Sequence, residues 1–73
     1  MQPDVMPAGL TPRQRQVLEG VRSGKTNAQI AVDLQLSPLT VKHHVQQALR
    51  KLSVNNRAEA AAVTSAPGWG GRP

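Results

Sequence analysis

Four helix-start signals stand between residues 11 and 59, and they limit what this chain can fold into more than any other feature of its sequence. A Ser, Thr or Asn at such a position accepts a hydrogen bond from a backbone N–H in the first turn of a helix. A Gln or Glu three residues later can return a bond to the cap, as in a capping box. Pro12 and Pro38 stand at the first helical position, where the missing N–H of proline costs nothing. The expected cap residues are Thr11, Thr26, Ser37 and Asn56.

Apolar residues recur at helical spacing behind each cap, so the sequence predicts four helices. Their expected ranges are 12–23, 27–34, 38–52 and 57–65. The third is the longest and has the clearest apolar stripe, made of Val41, Val45, Ala48, Leu49 and Leu52. No segment alternates with the period of a strand. We therefore predict an all-α, four-helix (tetrahelical) domain over residues 10–65, with flexible tails over residues 1–9 and 66–73.

The residue types that are absent restrict the core and the chemistry of this chain. There is no Phe or Tyr, and Trp69 lies in the Gly/Pro-rich tail, so the core must consist of Val, Leu, Ile and Ala. There is no cysteine, which excludes disulfides and thiolate metal ligands. His43 and His44 alone do not make a metal site. We expect no metal, cofactor or small-molecule ligand, and the lack of a clustered acid, base and nucleophile predicts that the protein is not an enzyme.

The charge balance favours a polyanionic partner. Nine Lys and Arg residues stand against four Asp and Glu residues, which gives a formal net charge of +5. Such a chain favours nucleic acid as a partner over an anionic membrane. No apolar run approaches the roughly 18 residues that cross a bilayer, and the N-terminus lacks the features of a secretory signal. We expect a cytoplasmic protein with no membrane partner.

The second and third predicted helices have the lengths and the short turn of a helix-turn-helix unit, whose second helix enters the major groove of DNA. No acidic residue occurs from residue 37 to residue 58. An acid-free helix face can donate hydrogen bonds to phosphates and to base edges. Gln35 stands in the turn at the place where Gly is common because one residue prefers the left-handed conformation, so we expect either mild backbone strain at Gln35 or a different turn. The outward side chains of the third helix are Thr40, Lys42, His43, Gln46, Gln47 and Arg50.

Four segments together resemble the LuxR (GerE/FixJ) type DNA-binding domain, at residues 10–14, 24–31, 36–45 and 51–60. The resemblance implies a tetrahelical domain that binds double-stranded DNA as a dimer, with the third helix as recognition helix. It also implies a nucleoid-associated location in the bound state. Gln14 and Gln29 depart from the family, which commonly has acidic residues there, so a salt bridge often made at Gln14 is missing.

The resemblance also assigns roles to individual residues. The expected base contacts are Lys42, His43 and Gln46. Leu39 is a further candidate by its own position: it can touch a thymine methyl group, pack on the second helix, or simply be exposed. The expected contacts to phosphates or the groove edge are Thr26, Asn27, Ser37, Thr40, Gln47, Arg50 and Arg57. For Arg57 a structural bond to a nearby carbonyl is an alternative, and His44 is expected to be packed and hydrogen-bonded. The fourth helix is expected to form a weak homodimer through Ala58, Ala61 and Ala62.

Two other functions fit the same pattern. The first is a module like region four of a sigma factor, which also binds nucleic acid. The second is an adaptor or antiactivator that uses a helix-turn-helix fold to bind another protein. Members of the LuxR type usually carry an N-terminal receiver or ligand-binding domain, but only nine residues precede the first expected domain residue here. We expect either a fragment or a stand-alone regulator, and Met1 favours the second.

Overall fold

The computed structural model describes residues 9–66, and all the regular structure in this part of the chain is helical. The predicted flexible tails were residues 1–9 and 66–73, and of these only residues 9 and 66 are described. The prediction of a disordered Trp69 lies outside the described residues. The helices are α1 Pro12–Arg22, α2 Asn27–Leu34, α3 Pro38–Leu52 and α4 Arg57–Thr64. The all-α, four-helix prediction is therefore confirmed. Helices α1 and α4 end one residue earlier than the sequence predicted.

Each predicted cap residue caps its helix. Thr11 and Thr26 form reciprocal capping boxes with the Gln three residues later. Ser37 accepts a hydrogen bond from the Thr40 N–H, and Asn56 accepts one from the Glu59 N–H. The Glu59 carboxylate does not accept the Asn56 N–H, as a full capping box would require. It accepts the Asn55 N–H instead, at 2.6 Å. Because these bonds form within single turns, they set the helix starts without help from the rest of the fold.

Helix α1 lies at the centre of the packing and supplies side chains to two adjoining core clusters. Val17 and Val21 lie in a cluster with residues of α2 and α3, and Leu18 lies in a second cluster with residues of α3 and α4. The buried apolar residues are all aliphatic, as the sequence predicted: Leu10, Val17, Leu18, Val21, Ile30, Ala31, Val41, Val45, Ala48 and Ala60. Because the apolar stripe of α3 packs into both clusters, the opposite face of this helix is turned to solvent.

Candidate nucleic-acid interface

The turn between α2 and α3 determines how α3 is presented. Gln35 adopts the left-handed conformation, with φ 58° and ψ 44°, which is the first of the two outcomes that the sequence left open for this turn. The Leu36 N–H then donates to the Ala31 carbonyl at 2.9 Å and closes the end of α2. Ala31 is buried in the cluster that also holds Val41 of α3. A small side chain here lets the two helices lie close together, so α2 supports α3 from behind.

The outward face of α3 is open along its whole length. Lys42, His43, Gln46 and Arg50 are exposed, and Leu39 is 61 % exposed although it is apolar. The four predicted base-contacting residues are thus free for a partner to reach, while their contacts stay predictions. His44 is half-buried, as expected for a packed residue. Its Nδ1 is buried but has no hydrogen-bond partner within residues 9–66, so that part of the expectation is not met at this atom.

The hydroxyl groups predicted to meet phosphate already take part in helix capping. Thr26 Oγ1 accepts the Gln29 N–H at 3.1 Å. At the start of α3, Ser37 Oγ accepts the Thr40 N–H at 3.1 Å and donates to Thr40 Oγ1 at 2.9 Å. These bonds hold the N-termini of α2 and α3 in place. Both termini present backbone N–H groups and the positive end of a helix dipole, which suits an anion.

Arg57 joins the start of α4 to the start of α2. One terminal nitrogen of its guanidinium donates to Asn27 Oδ1 and the other to the Lys25 carbonyl, each at 2.6 Å. The bond to the Lys25 carbonyl is the structural role that the sequence left open for Arg57 as an alternative to a phosphate contact. Because Asn27 Oδ1 accepts from a group that can only donate, the Nδ2 group of Asn27 is the end that remains for an external acceptor. Arg57 therefore orients one of the residues predicted to contact phosphate.

A second polar network joins the start of α1 to the last turns of α3. Gln14 is only 5 % exposed. Its Oε1 accepts from Lys51 Nζ at 2.9 Å, and its Nε2 donates to Gln47 Oε1 at 3.0 Å. Gln47 was predicted from the sequence to face phosphate, but Lys51 was not singled out. Its position one helical turn after Gln47 was the available signal, since residues four apart share a helix face.

The cations of this surface differ in whether a carboxylate pairs with them. Glu19 pairs with Arg15 and Arg22, and Asp33 pairs with Lys25. Glu19, Lys25 and Asp33 line a shallow groove of about 260 Å³ between α1 and α2. Lys42, Arg50 and Lys51 of α3 form no ion pair within the described residues. Three of the five described cations without a carboxylate partner therefore lie on α3, the other two being Arg13 and Arg57, and a cluster of unpaired cations suits a polyanion.

Helix α4 presents part of the surface predicted for a dimer. Ala58 and Ala62 are exposed, while Ala61 is half-buried and packs against the core cluster of α1, α2 and α3. A partner helix would therefore meet Ala58 and Ala62 more than Ala61. Within residues 9–66, no three His, Asp or Glu side chains lie together as a metal site requires. No helix in this part of the chain is both long and apolar enough to span a bilayer.

A search against family models matches residues 8–64 to the bacterial regulatory proteins of the luxR family. The chain belongs to the LuxR family. This confirms the resemblance and the expected class, a helix-turn-helix DNA-binding domain of transcription regulators. Between the two nucleic-acid-binding alternatives, the match favours the LuxR type over a sigma-factor module.

Curated relatives of this LuxR-family chain are regulators by name. It is 40% identical over 60 residues to the transcriptional regulatory protein DesR of Bacillus subtilis, covering 82% of this chain and 30% of DesR. It is 47% identical over 58 residues to a glycerol metabolism activator of Pseudomonas putida, covering 80% of this chain and 26% of the activator. With a probable transcriptional regulatory protein NarL of Mycobacterium tuberculosis the identity is 43% over 53 residues, covering 73% and 24%. The chain thus spans less than a third of the length of these relatives.

Proposed function

We propose that this LuxR-family domain binds double-stranded DNA sequence-specifically, with α3 in the major groove, and regulates transcription as a homodimer. The observation that carries the proposal is the exposed, acid-free face of α3, where Lys42 and Arg50 form no ion pair within residues 9–66 and stand among amide and imidazole side chains. The names of the relatives, which are transcriptional regulators and an activator, support a regulatory role.

The proposed base contacts lie on the first two-thirds of α3. Lys42 can donate to guanine, Gln46 can pair with adenine through its amide, and Leu39 can cover a thymine methyl group. His43 stands between them on the same face and can donate from its ring. All four side chains are exposed, so a duplex can reach them without rearrangement of the domain.

The proposed phosphate contacts surround this face. Thr26, Ser37 and Thr40 stand at the N-termini of α2 and α3, where backbone N–H groups also face outward. Asn27 presents its Nδ2 group because Arg57 occupies its Oδ1. In this proposal Arg57 supports the interface through Asn27, while Gln47 and Arg50 meet phosphate from the later turns of α3.

The decisive experiment has two stages. Selection from random-sequence duplexes identifies the operator, and binding to that operator is then measured over a range of salt concentrations. For DNA binding, log K falls linearly with log salt, by about 0.9 for each phosphate contact that a cation makes. Arg50→Ala and Lys42→Ala should each lower this slope by about one where the lysine or arginine meets phosphate. Gln46→Ala should relax the preference at one base position, by about 1–3 kcal/mol.

Arg22→Ala is the matched control, because it removes one exposed cation from the last turn of α1, where Arg22 already pairs with Glu19. It should leave the slope unchanged. A salt-independent interaction, or Arg22→Ala and Arg50→Ala having equal effects, would contradict the proposal. Tight, salt-insensitive binding to a protein partner would instead favour an adaptor.

The proposed homodimer uses the exposed alanines of α4. Small side chains such as Ala58 and Ala62 allow close approach of a second helix. Ala62→Glu places a charge in that contact and should lower affinity for a two-fold operator while leaving affinity for a single half-site unchanged. Sedimentation of the protein on each duplex measures both. Equal losses on the two duplexes would contradict a dimer through α4.

A further inference from the structure

Gln14 is a buried polar residue whose hydrogen bonds have only one possible direction. Its Oε1 accepts from the Thr11 N–H at 3.1 Å and from Lys51 Nζ at 2.9 Å. A backbone N–H and an ammonium group can only donate, so the amide of Gln14 cannot be turned around. Its Nε2 group must therefore be the end that faces Gln47, where it donates to Oε1 at 3.0 Å.

This bond fixes the direction of Gln47 in turn. The oxygen of Gln47 faces inward to Gln14, so its Nε2 group is the end left for solvent or a partner. Within residues 9–66 that group makes no hydrogen bond, and Gln47 is exposed. Gln47 thus presents two N–H donors, which match the oxygens of a phosphate.

Lys51 has only neutral hydrogen-bond partners in the same network. Its ammonium group contacts Gln14 Oε1 and the Gly9 carbonyl, at 2.9 Å and 3.1 Å, and both acceptors are neutral. No carboxylate in the described part of the chain pairs with it. Gln14, Gln47, Arg50 and Lys51 line one open cleft of about 360 Å³. The outer wall of this cleft is built from two cations and an amide turned to donate.

The position of the cleft on α3 fits the rim of a DNA groove. Helix α3 has 15 residues, so it is about 22 Å long, while the major groove is about 12 Å wide. If the first turns of α3 lie in the groove, its last turns lie at the edge, beside the phosphates. Gln47 is one turn beyond His43, and Lys51 is one turn beyond Gln47.

We propose that Gln14 is a positioning residue for DNA binding: its neutral amide turns the donors of Gln47 outward and leaves Lys51 uncompensated, so that Gln47, Arg50 and Lys51 seat a backbone phosphate at the C-terminal end of α3. The inference rests on the proposed DNA binding. It adds Gln14 and Lys51 to that function. A carboxylate at residue 14 would pair with Lys51, and since it cannot donate, it would make Gln47 turn its oxygen outward.

The test is Gln14→Glu, with Gln16→Glu as its matched control. Both variants add one negative charge to α1, but Gln16 is exposed and lines the groove between α1 and α2 on another face of the helix. The probe is a duplex of random sequence, so the operator need not be known. Gln14→Glu should lower the slope of log K against log salt by about 0.9 and weaken binding at fixed salt roughly tenfold. Gln16→Glu should change neither by a comparable amount.

Two further variants separate the two parts of the effect. Lys51→Met removes the charge, together with the hydrogen bonds to Gln14 Oε1 and the Gly9 carbonyl, and should lower the slope by about 0.9. Gln47→Met removes the outward donors and also the oxygen that accepts from Gln14 Nε2, but it removes no charge, so it should weaken binding without a change in slope. Thermal unfolding followed by circular dichroism should show that Gln14→Glu is folded. The new carboxylate can still accept the hydrogen bonds that the Thr11 N–H and Lys51 Nζ donate to Gln14 Oε1.

The possible failures are distinct. Wild-type protein that does not bind the duplex overturns the proposed function, and this inference with it. Wild-type binding with a steep salt slope, combined with Gln14→Glu or Lys51→Met that behave like Gln16→Glu, overturns the inference alone and leaves the proposed function standing.

Discussion

Replacing Arg57 with Met tests whether one side chain holds α4 to the start of α2. The guanidinium donates to Asn27 Oδ1 and to the Lys25 carbonyl, at 2.6 Å each. Met has a similar stem but no donor, so both acceptors lose their partner while most of the packing is kept. The perturbation therefore isolates the hydrogen bonds from the apolar contacts of the side chain.

The expected loss of stability depends on the type of hydrogen bond that is removed and on how exposed that bond is to water. A hydrogen bond from a charged group contributes about 1.5–3 kcal/mol. Lys25 is exposed and Asn27 is half-buried, so water can partly replace the lost donors and the lower end applies. We expect Arg57→Met to lower the free energy of unfolding by about 2–3 kcal/mol, taking both bonds together. For a domain of this size that is a drop in Tm of roughly 10–20 °C.

Thermal unfolding followed by circular dichroism at 222 nm measures the loss of stability in Arg57→Met, with Arg22→Met as the matched control. Arg22 also makes two hydrogen bonds, through Nε and Nη2 to Glu19 Oε1, but they link exposed residues three apart on one helix. Such a surface pair contributes at most about 0.5 kcal/mol, so the Tm of Arg22→Met should fall by only a few degrees. Equal losses in the two variants would refute the bridging role of Arg57. The salt slope of DNA binding, measured well below Tm, should be unchanged in Arg57→Met, and a fall of about 0.9 would show that its guanidinium meets phosphate directly.

Two backbone positions give further predictions. A Cβ on Gly20 would lie 2.6 Å from Cγ1 of Ile30, which is buried, so Gly20→Ala should cost about 1–3 kcal/mol of overpacking against a helix-propensity gain of at most about 1 kcal/mol. In denaturant unfolding it should be destabilising in the wild type but neutral or stabilising together with Ile30→Ala, and stabilisation in both backgrounds would contradict the close contact. Gln35 has φ 58°, so Gln35→Gly should stabilise the domain by about 0.5–1 kcal/mol through relief of the left-handed strain, and a lower Tm in this variant would count against that strain.

The helices and the exposed polar face of α3 could be predicted from the sequence. The caps at Thr11, Thr26, Ser37 and Asn56 act within one turn, so their signals are legible in adjacent residues. The apolar stripe of α3 implied its outward face, because one face of an amphipathic helix must be buried. The sequence offered a left-handed residue at Gln35 as one of two outcomes, because Gly is common at that place in a helix-turn-helix unit. A left-handed residue at Ser53, with φ 58°, was not foreseen, because that position holds neither Gly nor Asn.

The sequence alone determines where each helix begins and which of its faces is apolar, because both depend on residues within one or two turns. Only the packed structure decided which polar side chains meet across the domain. Arg57 reaches Asn27 thirty residues away, and Gln14 reaches Gln47 and Lys51 across thirty-three and thirty-seven residues. These partners depend on the angles at which α1, α2, α3 and α4 cross, which are set by the shapes of the aliphatic side chains in the core. The same packing places an ammonium group or a guanidinium, which have no acceptor atom, against the amide oxygens of Gln14 and Asn27. These groups therefore determine which way each amide is turned.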